Sequence, residues 1–186
     1  VSRLRPIEIS DLLGREEVTL DTNSIGEMIY QKVIFISGAG GSIGSELTRQ
    51  IAKYNPLSLV TFELNEFNHY KLEQMLKEEY PHLNHIGLIG DVRDAEKVNF
   101  ALAKYTPHVI LHAAAYKHVP IMENNPKEAV HTNIVGTHVL TSAAIEHRVE
   151  RFVMISTDKA VNPTNIMGTS KRIAEMVCQN MQKKAK

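Results

Sequence analysis

The sequence predicts an α/β fold built on a doubly wound parallel sheet, and three observations support this prediction. Short apolar runs rich in β-branched residues recur along the chain, at 33–37, 59–63, 86–90, 109–113 and 152–156. Stretches with helical character follow them, at 42–54, 66–80, 95–104, 127–147 and 164–184. The connections are short, so strand and helix alternate as right-handed crossovers require.

The five runs are nearly continuously apolar instead of alternating with polar residues. This pattern predicts a sheet that is covered by helices on both faces. Each run is followed by small or polar residues, and ligands bind at the carboxyl ends of the strands in such sheets. We therefore expect the functional site along that edge.

Composition narrows the possible functions. The 186 residues suffice for one domain with a sizeable core, and the formal net charge is zero. This charge balance indicates neither nucleic acid nor a membrane surface as a partner. The apolar runs are too short to cross a bilayer, and no signal-peptide pattern opens the chain. Cys178 is the only cysteine, which favours a packing role and a reducing, cytoplasmic compartment.

The domain prediction has two parts. Residues 1–32 show little periodicity, apart from a short helical turn at 11–15. They are predicted to be an N-terminal arm that packs on the domain or on a neighbouring subunit, or a linker remnant. Residues 33–186 are predicted to be a dinucleotide-binding domain of the Rossmann type. Its five strands are fewer than the usual six, so the domain is expected to be truncated before a substrate-binding lobe.

A glycine-rich loop follows the first strand and opens the first predicted helix of this domain. Glycines there allow a tight turn, a close approach of the backbone to a pyrophosphate, and close packing of helix on strand. Amides at the helix start then bind the phosphates. A glycine turn without a ligand is the weaker alternative, because the strand–loop–helix context fits. The predicted loop residues are Gly38, Gly40, Gly41, Ser42, Ile43 and Gly44.

The end of the second strand predicts the choice of cofactor. Glu63 lies 19 residues after Gly44, where a carboxylate accepts both ribose hydroxyls and repels a 2′-phosphate. No arginine follows within 64–72, so NAD is favoured over NADP. The alternative is that Glu63 only caps the next helix.

Two further strand ends complete the predicted cofactor site. Asp91 and Val92 follow the third strand, and Asp91 is expected to contact the adenine because Asp94 is the better helix cap. Small side chains follow the fourth strand at Ala113, Ala114 and Ala115. They let a flat cofactor lie against the backbone, or they serve close helix packing.

The fifth strand leads into Thr157, Asp158 and Lys159, and a helix with Met167 and Lys171 comes next. Short-chain dehydrogenases place Tyr-x-x-x-Lys at the last two positions, and the tyrosine exchanges a proton with the substrate. Lys171 matches this pattern, but a methionine cannot move a proton. Alcohol dehydrogenation through a tyrosine is therefore not expected.

These segments closely resemble the polysaccharide-biosynthesis UDP-N-acetylglucosamine 4,6-dehydratases, which are extended short-chain dehydrogenases. The resemblance rests on His-Ala-Ala-Ala-Tyr-Lys-His-Val-Pro at 112–120, Ser-Thr-Asp-Lys-Ala-Val-Asn-Pro at 156–163, and Met-x-x-x-Lys at 167–171. It extends to 62–72 and 7–18, and so covers nearly the whole chain. The membrane-anchored members have this methionine, which leaves open an anchor upstream of Val1 in a longer parent.

The resemblance implies roles for particular residues. Asp158 would be the acid that expels the 6-hydroxyl, and Lys159 the base at C5. Thr157 would hydrogen-bond the C4 oxygen, and Lys171 would hold the nicotinamide ribose. An acidic Asp158 needs a raised pKa and a basic Lys159 a lowered one, so the two are expected to point at different atoms. The alternative is a solvated turn.

Other positions carry weaker implications. Asn133 lies where short-chain dehydrogenases keep an asparagine that bends a helix and supports the lysine. Lys117 and His118 would face the substrate. The nine histidines show no persuasive metal-ligand spacing, so no metal is predicted. A homo-oligomer is expected, as in related enzymes.

The leading interpretation is thus an NAD-dependent enzyme, a lyase that dehydrates a UDP-N-acetylhexosamine. The isolated chain is expected to bind the cofactor with little or no turnover. One alternative is the dehydratase that inverts C5, which the sequence does not distinguish. Another is a catalytically incomplete module that only binds a nucleotide.

Overall fold

The computed structural model describes residues 21–185, and its five strands form one parallel sheet in the order β3-β2-β1-β4-β5. The order reverses between β1 and β4, as in a doubly wound fold. The predicted fold class is confirmed. The strands are β1 Val33–Ser37, β2 Ser58–Glu63, β3 His85–Ile89, β4 Val109–His112 and β5 Arg151–Met154.

The predicted helices are present within a few residues of their expected bounds. The α-helices are α1 Thr22–Ile29, α2 Ser42–Ala52, α3 Glu66–Glu79, α4 Ala95–Tyr105, α5 Val119–Asn124, α6 Pro126–Ala129, α7 Thr137–Glu146 and α8 Ile166–Gln182. The long helix expected at 127–147 differs, because a π-helical segment, Val130–Gly136, joins α6 to α7. None of the helices within residues 21–185 combines the length and the apolarity needed to span a membrane.

Two apolar layers cover the sheet. Side chains alternate along β1, so Phe35 packs into one layer and Ile34 and Ile36 into the other. Helices α4 and α7 complete the first layer, and α1, α2 and α3 complete the second. Every residue of β1 and β2 is buried. This burial explains the continuous apolar runs and fixes where the loops at the strand ends begin.

Helix α1 lies within the segment expected to be an arm. Asp21 caps it by accepting a hydrogen bond from the Ser24 amide at 3.1 Å. Ile29 is fully buried in the second layer, with Ile25 and Met28 packed beside it. This part of the arm therefore packs on the domain itself. The turn expected at 11–15 lies outside the described residues.

Candidate functional site

A cavity of about 430 Å³ opens at the carboxyl ends of the strands. Eight of the residues predicted to bind a cofactor line it together, although they come from four different loops. They are Gly38, Gly41, Glu63, Asp91, Val92, Ala113, Ala114 and Ala115. The strand order of a doubly wound sheet predicts that these residues lie together at the carboxyl ends of the strands, and they line this cavity.

The glycine loop is shaped by close backbone contacts. Gly38 has φ +66°, and a Cβ there would lie 2.5 Å from the Ala114 backbone. A Cβ at Gly44 would run into the Gly38 carbonyl oxygen. Gly41 is the N-cap of α2, and no side chain caps that helix end. The first amides of α2 are therefore available to an anion.

The remaining loop residues have different roles from those of the cavity lining. Gly40 donates its amide to Glu63, and Ile43 is half-exposed. Ser42 accepts a hydrogen bond at 2.8 Å from Lys117 Nζ. Lys117 was expected to face the substrate, and in the structure its ammonium group lies on the glycine loop. His118 starts α5 and lines a second cavity of about 410 Å³ with Tyr116 and Lys117.

Glu63 is 8% exposed and is held by two backbone amides. Its Oε2 accepts from Gly40 N at 2.8 Å, and its Oε1 accepts from Asn65 N at 2.9 Å. The N-cap of α3 is Asn65, so the alternative that Glu63 caps this helix is wrong. The two amides orient the carboxylate beside the glycine loop, at the edge of the cavity.

Asp91 lines the cavity and is paired with Arg93. Arg93 holds it through its backbone amide at 2.9 Å and its guanidinium at 2.6 Å, and also reaches Glu128 at 3.1 Å. Burial opposes ionisation of Asp91, but the hydrogen bonds and charge of Arg93 outweigh it and lower the pKa. Asp94 caps α4, as predicted. Arg93 follows Asp91 by two residues, a spacing that does not by itself predict an ion pair.

The predicted acid and base lie on a 3₁₀ turn after β5, Asp158–Ala160, outside the lining of the 430 Å³ cavity. Both side chains are exposed, Asp158 by 86% and Lys159 by 51%. They were expected to point apart, but Lys159 Nζ lies 3.3 Å from Asp158 Oδ1. A hydrogen bond from Thr157 and the charge of Lys159 lower the Asp158 pKa instead of raising it. Neighbouring side chains on an open turn meet because no other group separates them.

Lys171 and Met167 lie on α8, and both are buried. Lys171 Nζ donates to the Ile155 carbonyl at 2.6 Å, just before the turn. Burial lowers the Lys171 pKa, against the charges of Cys178 and Glu175. Met167 packs with Met122 and Ala129 in a small apolar cluster. Met167 is thus a packing residue in this structure.

Asn133 lies in the π-helical segment and bonds the loop after β4. Its Oδ1 accepts from Tyr116 N at 2.9 Å, and its Nδ2 donates to the Tyr116 carbonyl at 3.0 Å and to Ser170 Oγ at 2.9 Å. The helix is π-helical at the position where a bend was predicted. Asn133 reaches Lys171 only through its neighbour Ser170.

His112 was missed as a functional candidate. It is fully buried at the end of β4, with Nδ1 2.6 Å from Ser37 Oγ and Nε2 3.0 Å from Thr137 Oγ1. Thr137 donates its proton to the Asn133 carbonyl, so it accepts from His112 Nε2 and Nδ1 accepts from Ser37. Burial, with the charge of Lys171, lowers the His112 pKa to about 3. A polar residue at the end of an apolar strand could have signalled such a network, because buried polar groups need hydrogen-bond partners.

The geometry is that of a doubly wound α/β domain with a cavity at the carboxyl ends of its strands. A family profile described as polysaccharide biosynthesis protein matches residues 34–186. The chain belongs to this family. Among residues 21–185, no group of three histidine, cysteine or acidic side chains is placed to hold a metal ion.

Two relatives and one solved structure illustrate the likeness. Capsular polysaccharide biosynthesis protein CapD of Staphylococcus aureus is 44% identical over 97% of this chain and 30% of its own length. UDP-N-acetylglucosamine 4,6-dehydratase (inverting) of Campylobacter jejuni is 35% identical over 77% of this chain and 42% of its own. The chain therefore spans less than half of each relative.

The fold is shared with DesIV, a dTDP-glucose 4,6-dehydratase of Streptomyces venezuelae crystallised with NAD and TYD. The TM-score is 0.71 at 22% identity, over 81% of this chain and 52% of that chain.

Proposed function

We propose that this chain is the NAD-binding part of a lyase that performs 4,6-dehydration of UDP-N-acetylglucosamine or a related UDP-N-acetylhexosamine. The observation that carries the proposal is the contrast between Met167 and the turn at Thr157–Lys159. Met167 is buried at the position where alcohol dehydrogenases of this type use a tyrosine, while Asp158 and Lys159 are accessible on the adjacent turn. The membership in a polysaccharide biosynthesis family and the dehydratase relative support it.

The chain's residues fit a dinucleotide. The uncapped start of α2 suits the pyrophosphate, with Lys117 nearby as a cation. Glu63 suits the ribose hydroxyls of the adenosine and would repel a 2′-phosphate, which favours NAD over NADP. The DesIV structure contains NAD. When bound, the cofactor supplies a hydride acceptor that later serves as the donor.

The chain's own residues would bind the reactants and transfer the protons. Thr157 hydrogen-bonds the C4 oxygen, and Lys171 holds the nicotinamide ribose. A ketone at C4 acidifies the C5 proton, which Lys159 removes. Asp158 protonates the departing 6-hydroxyl, which leaves as water. Proton transfers of this kind need the side chains within hydrogen-bond reach of the sugar, and the exposed turn allows that approach.

The contact between Asp158 and Lys159 must change before these steps. Asp158 is ionised at neutral pH while Thr157 and Lys159 lower its pKa. A sugar that moves Lys159 away and covers the carboxyl would remove one stabilising charge and add desolvation, and both effects raise a carboxyl pKa. Binding of the substrate would thus prepare the acid.

The C5-inverting version of the reaction is the second candidate, because the Campylobacter jejuni relative is named as inverting. A protein that binds a nucleotide without catalysing a reaction remains the non-enzymatic alternative. For the isolated chain we predict NAD binding with little or no turnover, and a homo-oligomer remains a prediction.

The experiment uses the full-length enzyme with UDP-N-acetylglucosamine in deuterated water. Lys159→Met should stop exchange of the C5 proton, and Asp158→Asn should mainly stop loss of the 6-hydroxyl. Each should lower the rate by about 10²–10⁴-fold. Lys97→Met, an exposed lysine on α4, is the matched control. Near-normal turnover of Lys159→Met would refute the base, and NMR of the product at C5 separates retention from inversion.

A further inference from the structure

Two residues of α8 hold the end of β5 immediately before the proposed catalytic turn. Lys171 Nζ donates to the carbonyl of Ile155 at 2.6 Å. Glu175 Oε1 accepts from Ser156 Oγ at 2.5 Å. Lys171 and Glu175 are four residues apart and so lie on one face of the helix. The last two residues before Thr157 are thus each held by α8.

The Glu175 carboxylate is itself fixed in place. Its second oxygen accepts from Arg172 Nη1 at 2.9 Å, one turn earlier on α8. The hydrogen bonds from Ser156 and Arg172 lower the Glu175 pKa, so the group is ionised at neutral pH. Its negative charge favours the protonated form of buried Lys171, against the effect of burial. Cys178 and His112 are the other titratable groups that interact with Lys171.

We propose that Glu175 is a positioning residue that acts through Ser156 and Lys171. Through the Ser156 hydroxyl it holds the start of the Thr157–Lys159 turn against α8. Its charge lies one helical turn from Lys171 on the same face of α8 and favours the ammonium form of that buried lysine. The importance of this arrangement for catalysis rests on the function proposed above for the turn.

Three substitutions separate the two parts of the role. Ser156→Ala removes the hydrogen bond and leaves the charge. Glu175→Gln removes the charge and leaves an amide oxygen that can accept from Ser156. Glu175→Ala removes both. Gln179→Ala is the matched control, because Gln179 is exposed one turn further along the same helix.

In the full-length enzyme with NAD bound, Ser156→Ala and Glu175→Ala should lower kcat by about 10–100-fold, because a small displacement of reacting groups has that effect. The KM for the sugar nucleotide should change less than twofold. Thermal melting should verify that each variant is folded. The Gln179→Ala control should match the parent enzyme.

NMR of the lysine side chains in this chain gives a second measurement that is independent of activity. Glu175→Gln should lower the Lys171 pKa further, whereas Ser156→Ala should leave it nearly unchanged. Amide exchange at residues 157–160 should quicken in Ser156→Ala and not in Glu175→Gln.

Normal kcat in folded Ser156→Ala and Glu175→Ala would overturn the positioning role, provided that Lys159→Met is inactive. An active Lys159→Met would instead refute the proposed function. The NMR measurements then still test the contacts of Glu175. If the Lys171 pKa is unchanged in Glu175→Gln and amide exchange is unchanged in Ser156→Ala, Glu175 does not act on Lys171 or on the turn.

Discussion

Gly41 offers a direct test of the cofactor cavity, because alanine should fit the protein there but not the ligand. The backbone at Gly41, φ −69° and ψ 168°, is open to alanine. The nearest atom to an added Cβ would be the Gly38 carbonyl oxygen at 3.4 Å. The free energy of unfolding should therefore change by less than about 1 kcal/mol, since no neighbour must move.

The same methyl group would occupy the cavity that Gly41 lines. A phosphate oxygen that accepts a hydrogen bond from a loop amide lies about 2.9 Å from the amide nitrogen. A methyl carbon and a phosphate oxygen must stay about 3.5 Å apart, so the added methyl group would push the phosphate away. Losing one hydrogen bond to a charged group costs about 1.5–3 kcal/mol. The affinity for NADH should therefore fall by about 10–100-fold.

Cofactor fluorescence and calorimetry measure the affinity, and thermal melting measures the stability. Gly44→Ala is the contrasting variant, because its Cβ would meet the Gly38 carbonyl oxygen and lie 2.8 Å from Ala39 Cα. It should destabilise the domain by about 3 kcal/mol. If folded Gly41→Ala binds NADH as tightly as the parent chain, the phosphates do not lie at this loop.

Three further predictions follow from single side chains. The chain should bind NADH more tightly than NADPH in a fluorescence titration, and the reverse order would remove Glu63 from the ribose role. Met167→Leu should cost less than about 1.5 kcal/mol of stability and leave turnover of the full-length enzyme nearly unchanged, because volume and apolarity are kept; a large loss of kcat would give the thioether a role. His112 has a folded pKa of about 3, below its unfolded value, so its contribution to stability is full above about pH 6.5 and is lost as the pH falls. Urea unfolding should show a loss of about 2 kcal/mol between pH 7 and pH 5, a loss that His112→Gln reduces and that the exposed control His131→Gln does not.

Much of the fold could be predicted because burial of the central strands on both faces of the sheet requires continuous apolar runs in the sequence. Residues 33–36 and 109–111 are continuously apolar, and the structure buries all of them. Helix α1 was missed because it has only two turns and its apolar residues, Ile25, Met28 and Ile29, are few. The π-helical segment was not predicted, and within it Asn133 bonds Tyr116 and Ser170, which are 17 and 37 residues away in the sequence.

The parts of the site that depend on backbone geometry could be predicted from the sequence better than the parts that depend on side-chain contacts. Gly38 and Gly44 are required by close backbone contacts, and such positions leave glycines in the sequence. The contacts of Asp91 with Arg93 and of Lys117 with Ser42 depend on the rotamers of long side chains, which can also adopt other orientations. Neither contact has a characteristic spacing. Residue types alone therefore indicated a cofactor site but not the contacts between its side chains.

The two parts of the candidate site should consequently respond differently to substitution. The cofactor cavity is built from loops that leave buried strands, so its shape depends on glycine and alanine sterics and should tolerate changes of surface charge. The side chains of Asp158 and Lys159 are exposed. The backbone of the turn packs against Gly168 of α8, and the bonds made by Lys171 and Glu175 add a second attachment at the strand end before it. Removing those bonds should disturb the turn while the cavity keeps its shape. Cofactor affinity and the rate of proton transfer should therefore be separable by mutation, with Gly41 affecting the first and Ser156 the second.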